Sequence, residues 1–325
     1  MKESDIRPKA ILDKLLKQAE DEIEEFFGSA KYESIKCLAC NSSGEPCFTK
    51  YTFNYELCPN CNSLYVSPRP DINSFNAFYT NARSVQYFST TFFKETANAR
   101  REKLWKPKAK LINEEIKKYD QSIDNIIDIG GGYGIFAEEI KIISDANVTV
   151  IEPNPDLAND CRNRDIQVIE KFLEQVEISD LPVGKKIYTS FELFEHLHDP
   201  ELFLKQMINL MQKGEIFIFT TLSGTGIDIQ GLWEDSKAIS PPFHLNFLNP
   251  YSIKLLLERV GFETLEVTTP GKLDIDILSN DYDLIKDRFL KTLIKLSTDN
   301  EKKKWQQLIS ESGWSSHMMV CCQKN

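Results

Sequence analysis

The chain has 325 residues, with 39 Lys and Arg against 49 Asp and Glu, a net charge of −10 and a pI near 5.1. With 41% hydrophobic and 27% charged residues, it has the balance of an ordinary globular protein of about two domains. No surplus of cations exists to displace phosphate counterions, which argues against nucleic acid as the partner. The longest apolar stretch, 215–221, is far short of the roughly 20 residues a spanning helix needs, so no membrane partner is expected.

The N-terminus is charged throughout and lacks the apolar segment of an export signal, so a cytoplasmic location is expected. Apolar residues at three- and four-residue steps predict one amphipathic packing helix over 8–27, stopped by Gly28, in an N-terminal unit 1–34. Residues 35–70 hold five of the eight cysteines. Cys37-x2-Cys40 and Cys58-x2-Cys61 stand 17 residues apart, the spacing of a zinc ribbon. Four thiolates on two knuckles satisfy a tetrahedral Zn2+ with no open position, which marks a structural site. A redox dithiol at Cys37 and Cys40 is the rival reading, and a second matched pair counts against it. The remaining cysteines, 47, 161, 321 and 322, read as small buried apolar side chains.

Residues 71–120 read as helical and aromatic-rich, a connector or a lid. The rhythm then changes. Strands expected at 123–129, 148–151, 167–169, 186–190, 215–221, 262–268 and 317–324 alternate with helices at 135–143, 155–164, 172–176, 200–211 and 252–260. A polar helical insertion fills 280–312. This alternation indicates an α/β domain over 121–325, a mostly parallel Rossmann-like sheet with helices on both faces.

The first strand of that domain runs into Asp128-Ile-Gly130-Gly-Gly132-Tyr-Gly134 and then directly into a helix. A loop so rich in glycine lets the backbone approach a ligand closely. Glu152 ends the second strand, 22 residues beyond Gly130, where a carboxylate can accept both hydroxyls of a ribose. The acid before the first glycine would repel a pyrophosphate but suits a ligand carrying ammonium and sulfonium charges. The pattern therefore favours S-adenosylmethionine over NAD.

The segments Asp128–Gly134, Glu152-Pro153 and Ser190-Phe-Glu-Leu-Phe-Glu-His-Leu-His-Asp-Pro200 resemble class I S-adenosylmethionine-dependent methyltransferases. The closest likeness is to the zinc-ribbon-bearing branch associated with sugar and surface-polysaccharide biosynthesis, with further matches at 241–245 and 269–274, covering about residues 35–325. About 55 residues follow Pro270, fewer than in the larger C-terminal domain of the deoxysugar C-methyltransferases. The resemblance implies strand order 3-2-1-4-5-7-6 with the last strand antiparallel. It implies donor binding by Asp128, Gly130, Gly132, Gly134, Glu152, Pro153, Phe191 and Glu192. The implied acceptor is a small molecule, a sugar or nucleotide-linked sugar.

Methyl transfer is an in-line displacement whose nucleophile often has to lose a proton. Of the four histidines, His244, after Pro241-Pro242, is expected to be the base or an acceptor ligand, with Glu195 and His196 beside it. His198 is expected at the surface and His317 is expected to be incidental. A keto sugar acceptor would give C-methylation and a hydroxyl O-methylation. Tyr79, Tyr87 and Trp233 are candidate pocket walls, and Arg69 or Arg83 candidate partners for a nucleotide. The alternative is a catalytically degenerate fold acting as a zinc-ribbon binding or scaffold module.

Overall fold

The computed structural model describes residues 1–119 and 122–325. The boundary expected between 120 and 121 lies outside the described residues. The N-terminal segment is three helices, not one: α1 (Glu3–Ile6), α2 (Lys9–Asp21) and α3 (Ile23–Phe27). The break falls at Glu22, whose buried carboxylate accepts from the Arg83 and Ser84 backbone N–H groups (2.6 and 3.1 Å). These are the opening donors of another helix, and satisfying them fixes Glu22 to a partner 61 residues away.

A short bridge pairs β1 (Tyr32–Glu33) with β5 (Arg69–Pro70). Between them lie β2 (Glu45–Lys50), β3 (Phe53–Leu57) and β4 (Leu64–Val66), an antiparallel sheet between and beyond the cysteine knuckles. α4 (Ile72–Asn81), capped by the Asp71 carboxylate, and α5 (Arg83–Tyr87) follow. The chain then runs through α6 (Phe93–Arg100), flanked by π-helical turns at Phe88–Phe92 and Arg101–Trp105, into α7 (Lys106–Tyr119).

Seven strands form the large sheet. These are β6 (Asn125–Ile129), β7 (Asn147–Ile151), β8 (Gln167–Ile169), β9 (Lys186–Phe191), β10 (Ile216–Leu222), β12 (Phe262–Thr268) and β13 (His317–Lys324). Their order, β8-β7-β6-β9-β10-β13-β12, is the expected 3-2-1-4-5-7-6, and β13 is antiparallel to β10 and β12. Alternation of side chains settles the two faces. Ile126, Val148, Val150 and Ile218 pack on α7 and on α8 (Ile135–Ile143), while Ile127, Ile151, Tyr188, Phe217 and Phe219 pack on α10 (Pro200–Leu210) and α12 (Ser252–Val260). α9 (Pro155–Arg162) joins the first face through Cys161. The helix expected at 172–176 is a single 3-10 turn.

Two additions frame the mouth of this sheet. α11 (Ile227–Leu232), α13 (Asp274–Asn280), α14 (Arg288–Leu296) and α15 (Asp299–Glu311) share a separate apolar core, so the insertion of 280–312 is helical as read. The other addition is the ribbon sheet, whose edge strand is borrowed. β11 (Asn246–Phe247), from the segment after β10, pairs with β4.

Candidate active site

The carboxyl ends of β6, β7, β9 and β10 open into one crevice, where open α/β sheets bind ligands. Gly130, Gly132 and Gly134 all have positive φ (67, 54 and 70°). A Cβ on Gly134 would stand 2.8 Å from Cys161 Sγ, whereas one on Gly132 would meet nothing within 4 Å, so that part of the loop faces open space. Tyr133 stacks on Phe93 with centroids 3.6 Å apart, which lays the segment before α7 against the glycine loop.

Glu152 accepts from the Gly132 N–H through Oε2 and from the Asn154 N–H through Oε1, both at 3.0 Å. Burial nonetheless pushes its carboxyl above the usual range. Asp128 is buried and accepts from Thr189 Oγ1 at 2.8 Å, and burial pushes its pKa up to about 7. A buried carboxylate so thinly paired suits a cationic ligand. The cradle and its two acids thus fit S-adenosylmethionine. Pro153 follows Glu152 on the rim, half-buried.

Phe191 lies behind Lys108, whose Nζ is 4.7 Å from the ring centroid. Its ring packs on Phe136 (4.4 Å) and Trp105 (6.4 Å) in the α7–α8 layer. Glu192, in a left-handed backbone conformation (φ 54°), turns back over the crevice, a strain costing about 1–3 kcal/mol. Its Oε1 is held by Lys108 Nζ (3.0 Å) and Thr220 Oγ1 (2.8 Å), with His317 Nδ1 at 3.5 Å. Burial opposes ionisation of Glu192, but Lys108 and His317 outweigh it and hold the carboxyl well below its usual range. His317 is therefore part of the site, because antiparallel pairing sets it opposite Leu222 at the crevice end of β10. Nothing in the sequence marks Lys108, one lysine of a charged helix.

Glu195, His196 and His244 come together, their carboxylate and ring nitrogens all within 4.8 Å of one another. The two imidazoles meet edge to face at 4.7 Å. Tyr79 Oη lies 3.3 Å from His196 Nδ1, whereas Tyr87 sits under Lys14 and Trp233 against Phe48. The Ala238 carbonyl lies 2.6 Å from His244 Nδ1. A carbonyl can only accept, so Nδ1 carries the proton and Nε2 keeps its lone pair. Burial lowers His244 to about 4, and burial with the neighbouring imidazole lowers His196 to about 3, so both are neutral near pH 7. Burial and the nearby Glu192 charge raise Glu195 to about 8, and its Oε2 accepts from Thr221 Oγ1 (2.9 Å).

The ribbon fixes this wall. Tyr55, buried in β3, donates to the His244 carbonyl (2.8 Å), and the Val66 N–H to that of Leu245 (3.0 Å). Leu245 N–H in turn donates to the Glu195 carbonyl (2.8 Å). Arg69, buried, gives its N–H groups to the His198 and Leu245 carbonyls and to Asn246 Oδ1, so it is committed to the fold, whereas Arg83 pairs with Glu22 through Nε alone and stays largely exposed. His198 is half-buried, not at the surface, its Nε2 2.9 Å from the Pro70 carbonyl. Asp199-Pro200 serves as the N-cap and first turn of α10.

Both knuckles fold alike. The Asn41 and Asn62 N–H groups return to Cys37 and Cys58, and Cys37 and Cys58 N–H to Ser42 and Ser63, all at 2.9 Å, with left-handed Asn41 and Asn62. Cys37 Sγ lies 3.4 Å from Cys61 Sγ, and Cys40 Sγ 3.4 Å from Cys58 Sγ and 3.7 Å from Cys61 Sγ. These separations are too long for a disulfide of about 2.05 Å. They approach the edges of a tetrahedron built on metal–sulfur bonds of about 2.3 Å. Arg259 donates to the Leu38 and Ala39 carbonyls, and Asn249 to that of Cys61, tying the knuckles to the large domain.

A family model described as a methyltransferase domain matches residues 47–267, about two thirds of the chain. The chain belongs to that methyltransferase family. It is a class I S-adenosylmethionine-dependent methyltransferase. Among solved structures, the plantazolicin methyltransferase BpumL, in complex with a monoazolic desmethylPZN analogue and SAH, matches with a TM-score of 0.50 and 14% identity, covering 77% of this chain and 94% of that one. The plantazolicin methyltransferase BamL, with a triazolic analogue and SAH, gives the same four figures. At such identity the likeness is one of fold. No curated protein sequence matches this methyltransferase.

Proposed function

We propose that this methyltransferase acts on a small-molecule acceptor, a sugar or nucleotide-linked sugar, at carbon or oxygen, and that the four cysteines hold a structural zinc. The supporting observation is His244. Its Nε2 is left with a free lone pair by the Ala238 carbonyl, beside His196 and Tyr79, in the same crevice as the glycine loop. When bound, S-adenosylmethionine supplies an electrophilic methyl group on a sulfonium. Glu152 takes the ribose hydroxyls, and ionised Asp128 offsets the donor's positive charge. Gly130, Gly132 and Gly134 keep the loop close to the donor. Phe191 supports the pocket from behind, and Glu192 orients Lys108 across it.

On the acceptor side, His244 Nε2 takes the proton from a hydroxyl, or from a carbon next to a keto group. Glu195, with its raised pKa, stays largely protonated and donates to an acceptor oxygen. His196 and Tyr79 orient the ring. Twin knuckles with sulfurs 3.4–3.7 Å apart support zinc in the ribbon formed by 35–70. That module braces the His244 segment, residues 71–120 act as the cover, and 121–325 carry the donor site. The unpaired cysteines suit a reducing, cytoplasmic setting.

The test is co-purified ligand and metal analysis followed by single-turnover assays on a panel of sugars and nucleotide sugars. S-adenosylhomocysteine with one zinc, and methylation abolished in His244→Ala with donor affinity retained, support the reading. A metal-free protein of full activity removes the zinc assignment, and near-normal turnover in His244→Ala removes the base.

A further inference from the structure

The charges around the acceptor side of the crevice do not balance. Lys108 and Glu192 neutralise each other at 3.0 Å. Arg7 and Arg100 have no such partner. Among the described residues neither guanidinium makes a salt bridge or a hydrogen bond, and Arg100 Nε is buried without any acceptor. The other inward arginines behave differently, Arg69 and Arg259 each giving N–H groups to backbone carbonyls. Arg100 instead lies over the Phe92 ring, its guanidinium carbon 5.9 Å from the centroid.

Arg7 is delivered to this place by a fixed element. It caps α1 through its own N–H to the Glu3 carbonyl (2.8 Å). Glu3 is held from the far side by Asp276 Oδ2 on its N–H (2.6 Å) and by Asn280 Nδ2 on its carboxylate (2.9 Å). Asp5 pairs with Lys103 (2.7 Å) in the turn that follows α6. The short helix thus spans from α13 to the end of α6, which carries Arg100. These tethers set Arg7 close to the end of α6. The Arg7 charge is among those that lower the proton affinity of His244, His317 and Arg100.

Two guanidiniums brought near one another with no anion between them repel, and a buried Arg100 Nε without an acceptor is costly. The donor's net positive charge is met by Asp128, so its arrival leaves these two arginines without an anion. We propose that Arg7 and Arg100 together bind an oxyanion, a phosphate or carboxylate borne by the methyl acceptor, so that the N-terminal helix supplies part of the acceptor site. The guanidinium fork matches such a group with two parallel hydrogen bonds. Neutralising Arg7 also removes one of the charges that weaken His244 as a proton acceptor. This inference rests on the crevice being the methyl-transfer site.

The experiment is calorimetry on the full chain saturated with S-adenosylhomocysteine, titrated with inorganic pyrophosphate and, separately, with glucuronate. One of the two probes binds, which tells phosphate from carboxylate. Arg7→Ala and Arg100→Ala each weaken that probe tenfold or more, Arg100→Lys recovers most of the loss, and S-adenosylhomocysteine affinity stays within twofold. The proposal is overturned if neither probe binds the unmodified protein or if the variants leave probe affinity unchanged. It is equally overturned if S-adenosylhomocysteine weakens in parallel, which would assign the arginines to the donor carboxylate. Failure of S-adenosylhomocysteine to bind the unmodified protein would instead refute the donor site itself, and this inference with it.

Discussion

Asp128 makes donor affinity depend on pH in a way that can be calculated. Burial pushes the pKa of its carboxyl up to about 7, outweighing the hydroxyl donated by Thr189. A cationic donor favours the ionised form, so binding below that pKa must first expel a proton. Affinity is then flat above about pH 7 and falls tenfold per unit below it. From pH 8 to pH 5 the loss is about 100-fold, or ~2.7 kcal/mol at 1.36 kcal/mol per pKa unit. The assay is calorimetric titration of S-adenosylmethionine across that range, with thermal unfolding followed in parallel to confirm a folded protein. Asp128→Asn binds more weakly at pH 8 and loses most of the slope, since the proton that donor binding expels below pH 7 comes from this carboxyl. A wild-type affinity constant from pH 5 to pH 8, or an unchanged slope in Asp128→Asn, refutes the assignment of this carboxylate to the donor's charge.

Other consequences are open to measurement. His244→Ala should lower kcat by about 10²–10⁴ with donor affinity unchanged, the range for loss of a general base; a parallel loss of donor binding would contradict the role. Tyr55→Phe strands the buried His244 carbonyl, at about 1–3 kcal/mol in denaturant unfolding, and should lower turnover more than donor affinity. If turnover is untouched, the ribbon does not brace the acceptor wall. Cys58→Ser should remove one zinc per chain by elemental analysis and lower the unfolding midpoint. Equal midpoints with and without metal would show that the knuckles stand alone.

The large sheet is readable because most of its strands centre on short apolar runs alternating with helical segments, and its loop glycines occupy positive-φ positions that other side chains rarely adopt. The cysteine pairs were readable because each knuckle is a local structure, repeated with the same Asn-Ser ending. What escaped depends on distant partners. The helical periodicity of 8–27 continues through Glu22, but a buried carboxylate serving Arg83 and Ser84 interrupts it. His317 became part of the site only through antiparallel register with β10. Phe191 ends the strand where expected, yet strand alternation turns its ring to the helix layer. Arg69 is committed to two carbonyls and Asn246, partners far from it in the chain that no local pattern marks. β11 has two residues and no pattern of its own, although it gives the ribbon sheet its edge strand.

A crystal structure grown with S-adenosylhomocysteine examines the account most directly. Density should follow Gly130–Gly132, with both ribose hydroxyls on Glu152 and the sulfur turned toward Glu195, His196 and His244. A ligand bound outside this crevice, or a ribose out of reach of Glu152, would contradict it.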